Sequence, residues 1–190
     1  MSVGPTSMTM DDVAHACGIS KRTLYETFPD KRTLISESMR HNHEAKNAEV
    51  KEIFETADNC FEAMFKVYTR AKAMYEKTSV AFINDIKRLY PDIFEQHINN
   101  DKVTVNGLAD VLRQAQNEGL VITRINPEIA AYLFVMSMQE LHNNSKNANQ
   151  FGFKQTDLIE HMFISFLRGV ATIKGIEMIE YLEKQQEQKQ

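Results

Sequence analysis

GISKRTLYETFPDK, residues 18–31, sets a glycine turn ahead of a short polar helix that carries Lys21 and Arg22 and is stopped at Pro29. The stretch is too polar for a core and too patterned for a loose loop. Just before it, the hydroxyl of Thr9 can accept from the free amides of a first helical turn, so a short helix is expected from there through Ala16. Gly18 can take the positive φ that ends this helix, and Ser20 can cap the next one. Val13 and Cys17 are expected to face inward, with the small Ala14 where the helices touch and Ile19 and Leu24 filling the angle between them. The second helix then turns Lys21, Arg22, Thr23 and Glu26 outward, the kind of side chains that reach phosphates and base edges. Two short helices on a tight turn are the helix-turn-helix design, whose second helix lies in the DNA major groove. A helical hairpin with a solvated charged face is the competing reading of the same residues.

Beyond this head the chain reads as long helices. Asp30 can cap one that starts at KRTLISESM and runs into the 50s, and others are expected near 59–77, 79–89, 91–118, 127–143 and 156–184. Phe61, Met64, Phe65, Tyr68, Ala71, Met74 and Tyr75 recur at helical spacing, as do Leu158, Ile159, Met162, Phe163, Phe166, Leu167 and Val170. LVITRI at 120–125 is the one β-rich stretch, and the fold class is all-α. The change from short to long helices divides the chain into a head, residues 1–45, and a body, residues 46–190. Of the 190 residues, 43% are hydrophobic and 25% charged, which fits a globular chain. A net charge of −4 means that any nucleic-acid surface is local. Cys17 and Cys60 form no CxxC pair, so neither a disulfide framework nor a zinc site is expected, and a reduced cytoplasm fits. No apolar run approaches a membrane span.

TMDDVAHACGISKRTLYETFPDKRTLI, residues 9–35, resembles the DNA-binding head of TetR-family transcriptional regulators. Thr9, Val13, Ala14, Gly18, Ser20, Leu24, Tyr25, Phe28, Lys31, Leu34 and Ile35 stand at the positions of that pattern. RLYPDIFE, LRQAQNEGLVITRINPEIAA and SFLRGVATIKG look like stretches of the family's ligand-binding domain. The resemblance implies a helix-turn-helix head on a larger antiparallel helical domain for effector binding and dimerisation. Thr9, Ser20, Lys21, Thr23, Tyr25 and Lys31 match positions that contact DNA, chiefly its backbone. Arg22 is our own choice of base reader, because a guanidinium bonds guanine in two places. The implied partners are double-stranded operator DNA, a small apolar or amphipathic effector, and a second copy of the chain, with no cofactor or metal.

The family's head opens with a further helix ending in a phenylalanine four residues ahead of a glycine. Here that glycine is Gly4, so the phenylalanine falls one place before Met1, and MSVGPTS reads as the loop that follows the helix. The first helix is therefore expected to be missing, and the apolar faces of Val13, Ile19, Leu24 and Phe28 to lose its cover. A misassigned start, a truncated relative and a head turned away from DNA all stay open. The alternative function is then a truncated helical ligand-binding or dimerisation module that no longer binds DNA.

Bulky residues that can line an effector pocket are Met64, Phe65, Tyr68, Phe82, Ile86, Phe94, Phe134 and Met138, although such a stripe is more often core. The last two helices are the dimer seam by resemblance, with Leu158, Met162, Phe166 and Val170 as its residues. Enzyme chemistry finds no footing. His41 and His43 point apart on one helix, His97, His142 and His161 are scattered, and there is no HExxH, nucleophile elbow or phosphate loop.

Overall fold

The computed structural model describes residues 8–77, 80–97, 101–143 and 151–188. The chain packs as two units, Met1–Lys51 with Tyr75–Asn100 and Glu52–Met74 with Asp101–Gln190.

In the first unit, α1 (Met10–Ala16) and α2 (Lys21–Thr27) begin at the caps that the sequence predicts. Thr9 and Asp12 form a reciprocal capping box, which satisfies two amides of the first turn of α1. Gly18 makes the turn at φ +67°, in the left-handed region where a Cβ is penalised. The two helices close on Met10, Ala14 and Leu24, with Val13, Phe28 and Leu34 packed around them. Two expectations need correction. Cys17 is exposed and does not face inward, and Ile19 is 41% exposed and does not fill the angle between the helices. Met10, one turn before Ala14, takes that place.

Asp30 Oδ1 accepts from the Thr33 amide at 2.7 Å and opens α3 (Lys31–Thr56), which runs unbroken past residue 45. α5 (Val80–Leu89) and α6 (Pro91–His97) belong to the same unit. Proline at the first position of α6 lacks only an amide that the helix start leaves unpaired. Arg32 pairs with Asp92 there and lies 5.9 Å from the Tyr90 ring centroid.

The second unit holds α4 (Cys60–Lys77), α7 (Asp101–Asn117), α8 (Pro127–Asn143), α9 (Gln155–Val170) and α10 (Ile173–Glu187). Its core joins Phe61 and Phe65 of α4, Leu112 and Ala115 of α7, Ala131 of α8, Phe163 and Leu167 of α9, and Ile179 of α10. Phe163 stacks on Tyr68 at 4.5 Å and meets Phe65 edge-on at 5.4 Å. Met74, at the far end of the α4 stripe, is 39% exposed.

Two helices stand where one was expected over 156–184. The break at Ala171–Thr172 is made by a distant segment. Val121 bridges Ala171, the Ile122 amide donates to the Val170 carbonyl at 2.9 Å, and the Thr172 amide donates to the Leu120 carbonyl at 2.9 Å. These carbonyl and amide groups are thereby lost to the helix, and Thr172 caps the next one by accepting from the Gly175 amide at 3.1 Å. LVITRI contributes this single bridge and no strand among the described residues. The helix expected over 91–118 is described as α6 and α7, with residues 98–100 between them outside the described set.

Candidate nucleic-acid interface

α2 is seated by one apolar side chain, Leu24, which is 3% exposed, and its remaining face is open. Of the sequence-predicted DNA residues, Lys21, Arg22, Thr23 and Tyr25 stand on this helix, Ser20 is its cap, Thr9 caps α1, and Lys31 is half-buried in the first turn of α3. Local hydrogen bonds already occupy several of them. The Ser20 hydroxyl accepts from the Thr23 amide at 3.0 Å, and the two hydroxyls lie 2.8 Å apart. Thr9 donates to Asp12 from both amide and hydroxyl at 2.7 Å. The Thr9 backbone amide, then its hydroxyl, holds the Asp12 carboxyl below its ordinary range.

Both cations of the helix are paired. Lys21 Nζ meets the Asp11 carboxylate at 2.8 Å and lies 5.9 Å from the Tyr25 ring centroid. Hydrogen bonding to Asp11 raises the Lys21 ammonium above its ordinary value, so it stays charged. Arg22 Nε donates to Glu26 Oε1 at 2.9 Å, with the two side chains 89% and 62% exposed. Asp11, Lys21, Arg22 and Glu26 together carry no net charge, so this surface attracts phosphate weakly until one of the pairs opens. Replacing Asp11 by asparagine frees Lys21. For a nonspecific duplex, the slope of log K against log salt is expected to steepen by about 0.9 per subunit. Titrations across a salt series measure it, and an unchanged slope means that Lys21 does not reach phosphate.

Of the residues named for an effector pocket, Met64, Phe65 and Tyr68 are buried in the core of the second unit, and Phe134 and Met138 pack against it. Phe82 and Phe94 are half-buried and Ile86 buried in the first unit. Lys72 Nζ reaches Glu160 at 2.5 Å, and this bond holds the Glu160 carboxyl below its ordinary range. Of the seam residues, Val170 is buried in its own unit's core, while Leu158, Met162 and Phe166 are half-buried along α9, with Phe166 4.4 Å from Phe134. Sequence reasoning missed Ile129, Tyr132 and Leu133 of α8, which are 60%, 54% and 59% exposed. Their i, i+3, i+4 spacing is legible in PEIAAYLF, but nothing local distinguishes that face from the inward one.

Cys60 is no reactive thiol. Glu118 accepts from its amide at 2.9 Å and its thiol at 3.2 Å, and burial, then Glu118, pushes the thiol up to about 12. No group of three or more His, Cys, Asp or Glu residues that could hold a metal ion occurs among the described residues. No described helix is long and apolar enough to cross a membrane.

The sequence model of the family described as bacterial regulatory proteins, tetR family, matches residues 1–37. The HTH-type transcriptional regulator YvaF of Bacillus subtilis (strain 168) is 24% identical over 142 residues, covering 72% of each chain. Among solved structures, a transcriptional regulator from Cytophaga hutchinsonii superposes with a TM-score of 0.68 at 16% identity, over 89% of this chain and 91% of that one. A gamma-butyrolactone receptor (ArpA-like protein) gives 0.68 at 14% identity, over 100% and 90%. At these identities the structural likeness speaks to the fold alone. With an intact helix-turn-helix geometry beneath the matching pattern, residues 1–37 carry the head of the bacterial regulatory proteins, tetR family.

Proposed function

We propose that the protein is a ligand-responsive repressor that binds a palindromic operator as a homodimer and is released by a small apolar or amphipathic effector. DNA binding is assigned to residues 1–45, and effector binding and dimerisation to residues 46–190. The observation that carries the reading is α2, held by Leu24 with Arg22 and Lys21 turned to solvent. Buried aromatic and methionine side chains around Tyr68, with the Lys72–Glu160 pair at their edge, are the material for an amphipathic effector. One protein of similar fold is a gamma-butyrolactone receptor, a precedent for a compact effector of that kind.

The dimer is assigned to the outward stripe of α8, Ile129, Tyr132 and Leu133, together with Leu158, Met162 and Phe166 of α9. In a two-fold dimer the reading helices stand one DNA turn apart, about 34–36 Å, which demands a palindrome. An effector that favours another spacing weakens operator binding by linkage.

The test is Leu133→Asp, followed by sedimentation velocity. A carboxylate forced into an apolar seam costs about 3 kcal/mol, and a two-fold seam holds it twice, which weakens the dimer roughly ten-thousandfold. The variant is expected to sediment as a folded monomer and to lose selective operator binding. A variant dimer as tight as wild type removes α8 from the seam.

A further inference from the structure

We propose that Glu26 is a second base-reading residue of α2, accepting a hydrogen bond from the amino group of a cytosine within two base pairs of the guanine read by Arg22. The inference rests on the DNA-binding reading above and concerns the specificity of that surface. Backbone phosphates repel a carboxylate, so Glu26 has no part in anchoring the helix. Yet it stands on the open face, 62% exposed, one turn from a side chain suited to guanine. Surface pairs at this spacing add little to helix stability, so stability alone gives small reason for an acid there.

The chemistry of the major groove gives a stronger one. Cytosine offers a lone amino donor, which a carboxylate accepts, whereas adenine sets an acceptor beside its donor and guanine presents acceptors only. The pair is also built for shared reading. Arg22 meets Glu26 through Nε. The two Nη groups therefore keep their fork for guanine O6 and N7. One helical turn rises about 5.4 Å, against about 3.4 Å per base pair. Side chains one turn apart therefore address base pairs no more than two steps apart. Of the other outward polar groups, the Thr23 hydroxyl is taken up by the Ser20 cap and Lys21 by Asp11, while Tyr25, 41% exposed, stands beside Lys21 with an apolar ring that does not single out cytosine.

The experiment selects sites from a randomised double-stranded DNA library with the full-length protein, Glu26→Ala and Glu26→Gln. Wild type is expected to enrich sites with a guanine and, within two base pairs, a cytosine. Glu26→Ala keeps the guanine and loses the cytosine preference roughly tenfold. Glu26→Gln exchanges cytosine for adenine, because an amide pairs with adenine N6 and N7. A cytosine preference that survives in Glu26→Ala overturns the proposal. So does a loss confined to guanine, which would make Glu26 a residue that only positions Arg22. If wild type enriches no sequence at all, the DNA-binding reading fails and this inference goes with it.

Discussion

Replacing Gly175 by alanine is expected to cost about 3 kcal/mol, a fall in melting temperature of roughly 6–12 °C for a chain of this size. A Cβ at this position runs into the Leu120 carbonyl oxygen and comes within 3.1 Å of the Phe61 ring. The carbonyl cannot rotate away. It accepts from the Thr172 amide and sits beside the bridge of Val121 to Ala171 that parts α9 from α10. Relief therefore requires moving backbone in a packed core, where overpacking is not absorbed by a side-chain rotation. Gly107 of α7 is the control, since a Cβ there meets nothing within 4 Å. Alanine at Gly107 should stabilise by up to about 1 kcal/mol, as in any open helical position. Thermal melts of the two variants separate close approach from helix propensity. A Gly175→Ala protein that melts with wild type removes the packing described for this corner.

The second large effect belongs to Arg22. A bidentate guanine contact is worth about 1–3 kcal/mol against the wrong base. A two-fold dimer makes it twice, so Arg22→Ala is expected to weaken operator binding roughly thirtyfold to ten-thousandfold. The fold should tolerate the change, because alanine favours helix and the exposed pair with Glu26 contributes only a few tenths of a kcal/mol, about 0.3–0.5. Competition between operator and scrambled duplex is the measurement. Operator affinity should fall far more than scrambled-duplex affinity, which loses only the charge of Arg22, whereas Lys21→Ala should lower both by the same factor. Equal losses on both duplexes for Arg22→Ala make it a phosphate contact and not a reader.

The head was legible because its signals are local. A hydroxyl or carboxylate three residues before an amide is a cap wherever it occurs, so Thr9, Ser20 and Asp30 mark their helices from sequence alone. What failed was the placing of Cys17 and Ile19. Periodicity gives a direction on a helix, and both residues lie where α1 has ended and the chain is turning. The break between α9 and α10 was illegible for a different reason. No proline stands there, and the groups that end α9 lie some fifty residues earlier, at Leu120 to Ile122.

The α8 face shows a further limit. PEIAAYLF is apolar on both sides, and the side packed inward is the one with small Ala130 and Ala131, while Ile129, Tyr132 and Leu133 stay outside. Hydrophobicity alone ranks those faces the wrong way round. The ion pair of Asp11 with Lys21 likewise depends on how two helices cross. It turns an apparently basic face into a neutral one.

DNA reading by this head is tested by a titration of labelled DNA from upstream of the protein's own gene, at low and moderate salt, with nonspecific competitor present. Binding that survives the competitor and weakens as salt rises is the predicted result, since phosphate contacts release counterions. Binding that the competitor removes entirely at both salt concentrations would contradict it.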